Sequence, residues 1–278
     1  TLRSYLNNVF RQYEEEYSLT PPPTDSLSDR FNAIIVGAYE QTGQQVAILI
    51  DEYDSPLQHS WKTPLYECCT AIYRDVFVIL KSMDKYEKFV FITGCTKFSQ
   101  FSLISGLNNL SFIGLDSEYA SLCGITKEEA IRQFKPEITK LVACKGWTFD
   151  ETVVQLNEYY GGYHFSRRNM VDVFNPFCLI NALADSDLKN YWALSGAPPL
   201  LSKFKDDVEK RLKDFEKCPI VRNVMETSDV TDAGVELVLY QTGYLTIKDY
   251  LVGIYILGFP NTEVRKALYK LLCVETGQ

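Results

Sequence analysis

Gln45-Val-Ala-Ile-Leu-Ile-Asp-Glu-Tyr-Asp54 is the stretch of sequence that decides the fold. Its four consecutive apolar residues, Ala47 to Ile50, predict a β-strand that is buried on both faces, as in the centre of a parallel sheet. Asp51 and Glu52 follow this strand at once. In α/β folds, ligands bind at the carboxyl ends of parallel strands. The stretch therefore predicts an α/β fold with a pair of carboxylates at a ligand-binding position.

This pair of acids has two interpretations. In P-loop NTPases the corresponding position is the Walker B site, where the first acid holds Mg²⁺ and the second orients or deprotonates the attacking water. The other interpretation is a strand that runs into a polar loop, because an apolar run followed by two acids is common by chance. On this stretch alone, the second interpretation is favoured.

A Walker B strand works together with a Walker A loop, G-x-x-x-x-G-K-[ST], which cradles the phosphates. The sequence contains no such motif, and its one glycine pair, Gly161-Gly162, is followed by Tyr163. Either the protein is not a nucleotide enzyme, or the phosphate-binding half lies outside this chain. Because the chain starts at Thr1 inside an amphipathic helical pattern, we expect it to be a fragment.

A second apolar strand is predicted over Lys88-Phe-Val-Phe-Ile-Thr-Gly94. The helical pattern from about 65 to 84 separates it from the first strand, and strand, helix and strand in this order predict parallel pairing. The second strand ends near Thr93, Thr96 and Lys97, whose side chains could all take part in chemistry. Thr93 is the better candidate for a polar sensor residue near a γ-phosphate, and Lys97 is the weaker one. From spacing alone, a capped and solvated loop is the favoured alternative.

Composition excludes several classes of function. The 278 residues carry a formal net charge of −8, so the broad basic field typical of nucleic-acid-binding proteins is absent. No apolar run reaches the roughly 18 residues that span a bilayer. The chain has eight cysteines without a C-x-x-C motif and only two histidines, which argues against a zinc site. Most cysteines lie in apolar patterns, as is typical of a reducing cytoplasm, and we expect a cytoplasmic protein.

The carboxyl-terminal half contains further local signals. Thr126-x-x-Glu129 is a capping box that predicts a helix to about Val142. His164 lies in Gly-Tyr-His-Phe among apolar neighbours, where a structural role is favoured over a catalytic one. After Asp232, a helix, two short strands and a last helix predict a winged-helix-like module. Such modules bind DNA or serve as lids and docking surfaces, and the acidic composition argues against DNA.

Seven short strings, in this order, resemble the bacterial AAA-ATPase-like family. The resemblance covers nearly the whole chain, from about residue 1 to 270. The family is a divergent P-loop ATPase domain that is often followed by a PD-(D/E)XK nuclease-like domain. The strings are Asp51-Glu-Tyr-Asp-Ser-Pro56, Phe91-Ile-Thr-Gly-Cys-Thr-Lys-Phe-Ser99, Ser105-Gly-Leu-Asn-Asn-Leu110, Leu122-Cys-Gly124, Gly161-Gly-Tyr-His-Phe165, Asn175-Pro-Phe177 and Tyr240-Gln-Thr-Gly-Tyr-Leu-Thr-Ile247.

The resemblance implies a cofactor, ATP with Mg²⁺, and a set of site residues. Asp51 corresponds to the Mg²⁺-coordinating acid and Glu52 to the general base. Thr93 stands where a sensor residue is expected, and Lys97 is a further candidate for contact with the nucleotide. Asp54 belongs to the family pattern without an assigned role. The Walker A segment would lie upstream of this chain, and the nuclease-like domain would follow it.

We therefore expect an α/β fold with a partial P-loop NTPase-like parallel sheet flanked by helices, followed by a helical and winged-helix-like region. The expected divisions are an incomplete ATPase core at 1–125, a helical lid-like region at 126–215 and a winged-helix-like module at 216–278. The first functional hypothesis is an ATP-hydrolysing switch that lacks its phosphate-binding loop here and is inactive alone. Its partners would be ATP in the full-length protein and a downstream nuclease-like domain or protein.

The alternative hypothesis is a non-catalytic protein-interaction scaffold derived from this fold. A parallel sheet without its P-loop strand is also expected to expose an edge or an apolar face.

Overall fold

The computed structural model describes residues 1–96, 110–195, 199–227 and 234–273. Its described residues form two compact units, one from residues up to Ser111 and the other from Phe112 onward. Helices and both parallel and antiparallel strand pairs are present, which confirms the expected mixture of α and β structure. The three-part division expected from the sequence remains a prediction.

The first unit consists of helices around a two-stranded sheet. Its helices are α1 (Leu2–Glu16), α2 (Leu27–Thr42), α3 (Ser55–Ser60) and α4 (Leu65–Phe77), and a 3-10 helix (Val78–Lys81) follows α4. Its strands are β1 (Val46–Ile50) and β2 (Glu87–Ile92). The pairing of β1 with β2 is parallel, which confirms the predicted strand–helix–strand unit. The predicted helix from about 65 to 84 is split, since its last turns are 3-10.

The prediction that β1 is buried on both faces is wrong for the described structure. Ile48 is 7% exposed, whereas its neighbour Leu49 is 69% exposed. Leu49 lies beside Phe91 in the parallel register, and Phe89 and Phe91 are also exposed. Successive side chains of a strand point to opposite faces of the sheet, and only one face is covered here. The uncovered face of the described sheet is therefore an apolar surface.

The second unit contains short helices and two antiparallel sheets. Its α-helices are α5 (Lys127–Gln133), α6 (Lys135–Lys145), α7 (Phe149–Tyr160), α8 (Pro176–Asp185), α9 (Pro199–Ser202), α10 (Lys205–Lys210), α11 (Arg222–Thr227), α12 (Val235–Gln241) and α13 (Thr262–Cys273). Its strands are β3 (Ile125–Thr126), β4 (Val173–Phe174), β5 (Cys218–Val221), β6 (Thr246–Leu251) and β7 (Ile254–Gly258). In one of its cores the helices α5, α6, α7 and α8 pack together. The buried residues of this core include Ile138, Leu141, Leu156, Phe174 and Leu179.

The predicted capping box of α5 is present. The Thr126 hydroxyl accepts from the Glu129 backbone N–H, and the Glu129 carboxylate accepts from the Thr126 backbone N–H. The predicted extension of this helix to Val142 is wrong, because α5 ends at Gln133 and α6 begins at Lys135. Pro136 explains the break, since a proline has no backbone N–H and fits only in the first turn of a helix.

The predicted pair of late strands is confirmed. Strands β6 and β7 form an antiparallel hairpin, and β5 pairs with the other edge of β7. Helix α12 precedes the hairpin and α13 follows it. The winged-helix-like character of this region remains a prediction. No helix within the described ranges has the length and apolar character needed to cross a membrane.

The turn of this hairpin carries backbone strain. Val252 and Gly253 join β6 to β7 with φ values of 45° and 86°, and Val252 is fully exposed. Glycine tolerates a positive φ, but a β-branched residue does not. We expect Val252→Asn to stabilise the protein by about 1 kcal/mol, because Asn-Gly favours a turn with two positive φ values. Urea unfolding would measure the gain.

The matched control for this turn is Leu251→Asn. Leu251 is also exposed and apolar, but its backbone φ is not positive. This substitution removes exposed apolar surface without changing the turn, and it should leave stability unchanged or slightly lower. An equal gain in both variants would contradict the explanation by backbone strain.

Candidate functional site

The candidate site lies where β1 and β2 end side by side. The parallel ladder continues past both strands, because the Thr93 backbone N–H donates to the Ile50 carbonyl at 2.8 Å and the Tyr53 N–H donates to the Thr93 carbonyl at 3.1 Å. These bonds place residues 51–53 beside Thr93. The two strand ends that the sequence pointed to are therefore neighbours in the fold.

Asp51 and Thr93 are in direct contact. The Thr93 hydroxyl donates to Oδ1 of Asp51, and the Glu52 backbone N–H donates to the same Oδ1 at 3.0 Å. The Asp51 side chain is exposed, and its Oδ2 forms no hydrogen bond with any described residue. One carboxylate oxygen is thus held by two donors, and the other has no hydrogen-bond partner among the described residues.

Glu52 has an unusual backbone conformation. Its φ is 50°, and its side chain is exposed. A positive φ at a residue other than glycine costs about 1 kcal/mol or more and is often found at functional sites. The backbone therefore departs from the extended β conformation directly after Asp51.

Asp54 is the buried acid of the same segment, with 1% of its surface exposed. Its carboxylate accepts from the Gln58 side-chain amide at 2.8 Å, from the Cys95 N–H at 3.2 Å and from the Thr96 N–H at 2.6 Å. The Thr96 hydroxyl also donates to it. No role for Asp54 was predicted from the sequence, where its only signal is its place in the string Asp51-Glu-Tyr-Asp-Ser-Pro56.

The loop after β2 packs closely on this segment. A Cβ atom added to Gly94 would lie 2.5 Å from Oδ1 of Asp54 and 2.8 Å from the ring of Tyr53. The Tyr53 hydroxyl donates to the Thr96 carbonyl at 3.1 Å. Gly94 is therefore needed for the close approach of the two loops.

The charges at the site are negative. Desolvation raises the pKa of the Cys95 thiol, and the nearby carboxylates Asp54, Glu52 and Asp51 raise it further. A nucleophilic cysteine requires a lowered pKa. Cys95 is therefore not arranged as an activated nucleophile.

A bound cation suits this arrangement better. Mg²⁺ in nucleotide sites is held by one or two carboxylates, by waters and by substrate phosphates, rather than by a full set of protein ligands. Asp51 fits this mode, since it is exposed and its Oδ2 forms no hydrogen bond with any described residue. The described residues contain no group of three or more His, Cys, Asp or Glu side chains that could hold a metal ion by themselves. Lys97 lies outside the described residues.

The Gly161–Phe165 segment is arranged as a structural element. The His164 N–H donates to the Thr246 hydroxyl at 2.8 Å, and the His164 ring Nδ1 lies 3.1 Å from the Ile247 carbonyl. Burial lowers the pKa of His164, while nearby Asp172 acts in the opposite direction. Both backbone and ring contacts bind this segment to β6, which agrees with the structural role favoured from the sequence.

The fold and these contacts define an α/β protein in which two acids follow one parallel strand and a threonine that contacts the first acid follows its neighbour. Residues 1–104 match the model of the AAA-ATPase-like family, which is described as "Predicted AAA-ATPase". This match confirms the family resemblance for the part of the chain that contains Asp51, Glu52 and Thr93.

One relative is a protein of Azotobacter chroococcum mcd 1 described as "Uncharacterized protein in vnfD 5'region". The two sequences are 31% identical over 250 residues, which cover 87% of this chain and 46% of the relative. The chain thus spans about half the length of this relative. No solved structure matches the chain.

Proposed function

We propose that this chain contributes the Mg²⁺-binding and water-activating half of an ATP-hydrolysing site. The observation that carries the proposal is the hydrogen bond from Thr93 to Asp51 across the ends of two parallel strands. It lies within the segment that matches the AAA-ATPase-like family. Ligand sites in α/β folds lie at this end of the sheet.

Each residue has a separate role in the proposal. The Asp51 carboxylate would hold the cation, and Thr93 fixes one oxygen of this carboxylate. Glu52 accepts a proton from the attacking water or orients that water. When bound, ATP would supply the phosphoryl group and Mg²⁺ would supply the positive charge that offsets the acids. Hydrolysis would switch the protein between two loop arrangements, which a downstream nuclease-like domain or protein partner would detect.

The proposal requires a phosphate-binding loop from a segment outside residues 1–278, since these residues contain no G-x-x-x-x-G-K-[ST] motif. Backbone N–H groups of such a loop supply much of the affinity for phosphate. We therefore expect the full-length product of the gene to hydrolyse ATP and residues 1–278 alone to be inactive. The direct test is a comparison of Mg²⁺-dependent ATP hydrolysis by these two proteins.

Substitutions at the acid and the hydroxyl separate their roles. In the full-length product, Asp51→Asn should lower hydrolysis about 100-fold and raise the Mg²⁺ concentration needed for half-maximal rate, because it weakens metal-ion catalysis. Thr93→Val removes the hydroxyl that donates to Asp51 and that also accepts weakly from the Glu52 N–H at 3.4 Å. It should cost about 10-fold, close to the value of a charge-assisted bond. Steady-state kinetics at several Mg²⁺ concentrations would measure both effects.

Asp84→Asn is the matched control for this experiment. Asp84 is an exposed aspartate shortly before Glu87, where β2 begins, and thus lies at the end of the strand opposite the site. Its substitution changes the net charge as Asp51→Asn does, and it should leave the kinetics unchanged. Equal losses in the two variants would contradict the assignment of Asp51.

A non-catalytic scaffold is the second candidate function. The exposed apolar face formed by Leu49, Phe89 and Phe91 favours it, since large exposed apolar patches mark interaction surfaces. Under this hypothesis the full-length product neither binds nor hydrolyses ATP. Tight Mg-ATP binding by that product would exclude the scaffold as its sole function.

A further inference from the structure

We infer that Asp54 is a positioning residue that holds Thr93 in place against Asp51. The inference rests on the proposed function, because the position of Thr93 matters only if the strand ends form a hydrolytic site. It assigns a role to the buried acid, which lies three residues after Asp51 and does not reach the exposed surface of the site.

Asp54 forms a bridge between the two strand-end loops. Its carboxylate receives the Cys95 N–H, the Thr96 N–H and the Thr96 hydroxyl from the loop after β2. The bonds from Thr96 span 42 residues of sequence. Because residues 94–96 follow Thr93 directly, the bridge fixes the chain on the carboxyl side of Thr93. The backbone ladder with Ile50 and Tyr53 fixes Thr93 itself.

The bridge requires a carboxylate. An ionised carboxylate only accepts hydrogen bonds, and here all four of its partners are donors. An asparagine at this position would direct its NH₂ group toward at least one other donor. A buried donor without an acceptor is costly, so the loop would move to relieve the conflict.

Gln58 provides a matched control on the other side of Asp54. Its side-chain amide donates to the same carboxylate from helix α3, and it is 5% exposed. Gln58→Met removes one hydrogen bond to Asp54 but leaves the bridge to the loop after β2 intact. A general loss of stability would lower kcat in both Gln58→Met and Asp54→Asn. A loss of the position of Thr93 would lower kcat only in Asp54→Asn, where the bridge is broken.

The test uses the full-length product of the gene. We expect Asp54→Asn to lower kcat by about 10- to 100-fold, the effect of a displacement near 1 Å at a reacting group. The KM for ATP should stay within about two-fold, because Asp54 is buried and does not touch the nucleotide. Gln58→Met should leave both constants unchanged. Thr96→Val, which removes the hydroxyl donor at nearly constant volume, should lower kcat by a smaller factor with the same unchanged KM.

A second measurement does not depend on hydrolysis. The charge of Asp54 helps to raise the pKa of the Cys95 thiol. Removing this charge, or breaking the bridge that holds the loop around Cys95, should therefore increase the rate at which Cys95 is alkylated. Peptide mapping by mass spectrometry distinguishes Cys95 from the other cysteines. Faster alkylation in Asp54→Asn and Thr96→Val, but not in Gln58→Met, is the expected result.

The outcomes separate the inference from the proposed function. If Glu52→Gln leaves hydrolysis unchanged, the proposed function fails. If Glu52→Gln abolishes hydrolysis but Asp54→Asn keeps its kcat, the positioning role is overturned. Equal losses of kcat in Gln58→Met and Asp54→Asn would also overturn it, since they would show a general loss of stability. If Asp54→Asn does not fold, an unchanged kcat in Thr96→Val overturns the inference.

Discussion

Glu52→Gln in the full-length product should abolish ATP hydrolysis while ATP binding is retained. Glutamine has the size and backbone preferences of glutamate, so it can occupy the same strained position after Asp51. It cannot take up a proton from water. General-base catalysis contributes about 100- to 10,000-fold, and we expect a loss of at least 100-fold. Hydrolysis and equilibrium binding of a fluorescent ATP analogue would be measured on the same preparation.

Glu52→Gly is an informative control for this experiment. It also removes the carboxylate, but it relieves the strain at φ 50°. We expect the same loss of hydrolysis together with a gain in stability of about 1 kcal/mol, because glycine tolerates a positive φ. Hydrolysis that survives in both variants would exclude Glu52 as the base. A loss of ATP binding in Glu52→Gln would mean that the residue acts on the nucleotide rather than on water.

The parallel pairing of β1 and β2 could be predicted because its signals are local. Each strand is a short apolar run, and the helical pattern between them leaves room for a crossover. The burial of both strand faces was predicted wrongly, because Ala47 to Ile50 contains no alternation of polar and apolar residues. A run of this kind is compatible with two covered faces, but the described sheet has only one covered face.

Contacts between residues that are far apart in the sequence could be predicted only in part. The proximity of Asp51 and Thr93 was predicted, although their hydrogen bond was not, because each residue directly follows an apolar strand. The contact of Asp54 with Thr96 was not predicted, because Asp54 lies three residues beyond Asp51 and nothing in the sequence pairs it with a residue of the loop after β2. Strand β5 was also missed. It is a four-residue edge strand that contains Pro219, and proline within a run argues against a strand except at an edge.

The largest effect on stability is expected at the ion pair between α1 and α2. Arg30 donates from Nε and Nη2 to the two carboxylate oxygens of Glu14, at 2.8 and 2.7 Å. The side chains are 13% and 5% exposed. Arg30 also donates to the Asn7 side chain at 2.6 Å and lies over the ring of Phe10. The pair therefore joins two helices within a mostly buried setting.

Glu14→Leu should lower the free energy of unfolding by about 3 kcal/mol, because it leaves the charge of Arg30 without its partner in a desolvated position. The loss should be largely recovered in the double variant Glu14→Leu with Arg30→Met, since buried ion pairs are often replaced by apolar residues at little cost. Urea unfolding monitored by circular dichroism would measure both.

Glu15→Gln is the matched control for this ion pair. Glu15 is the exposed neighbour of Glu14 on the same helix, and its substitution should change stability by no more than about 0.5 kcal/mol. If Glu14→Leu were as mild as Glu15→Gln, the ion pair would contribute little to the stability of α1. If the double variant were less stable than Glu14→Leu alone, Arg30 would stabilise the helices through Asn7 and Phe10 rather than through its charge partner.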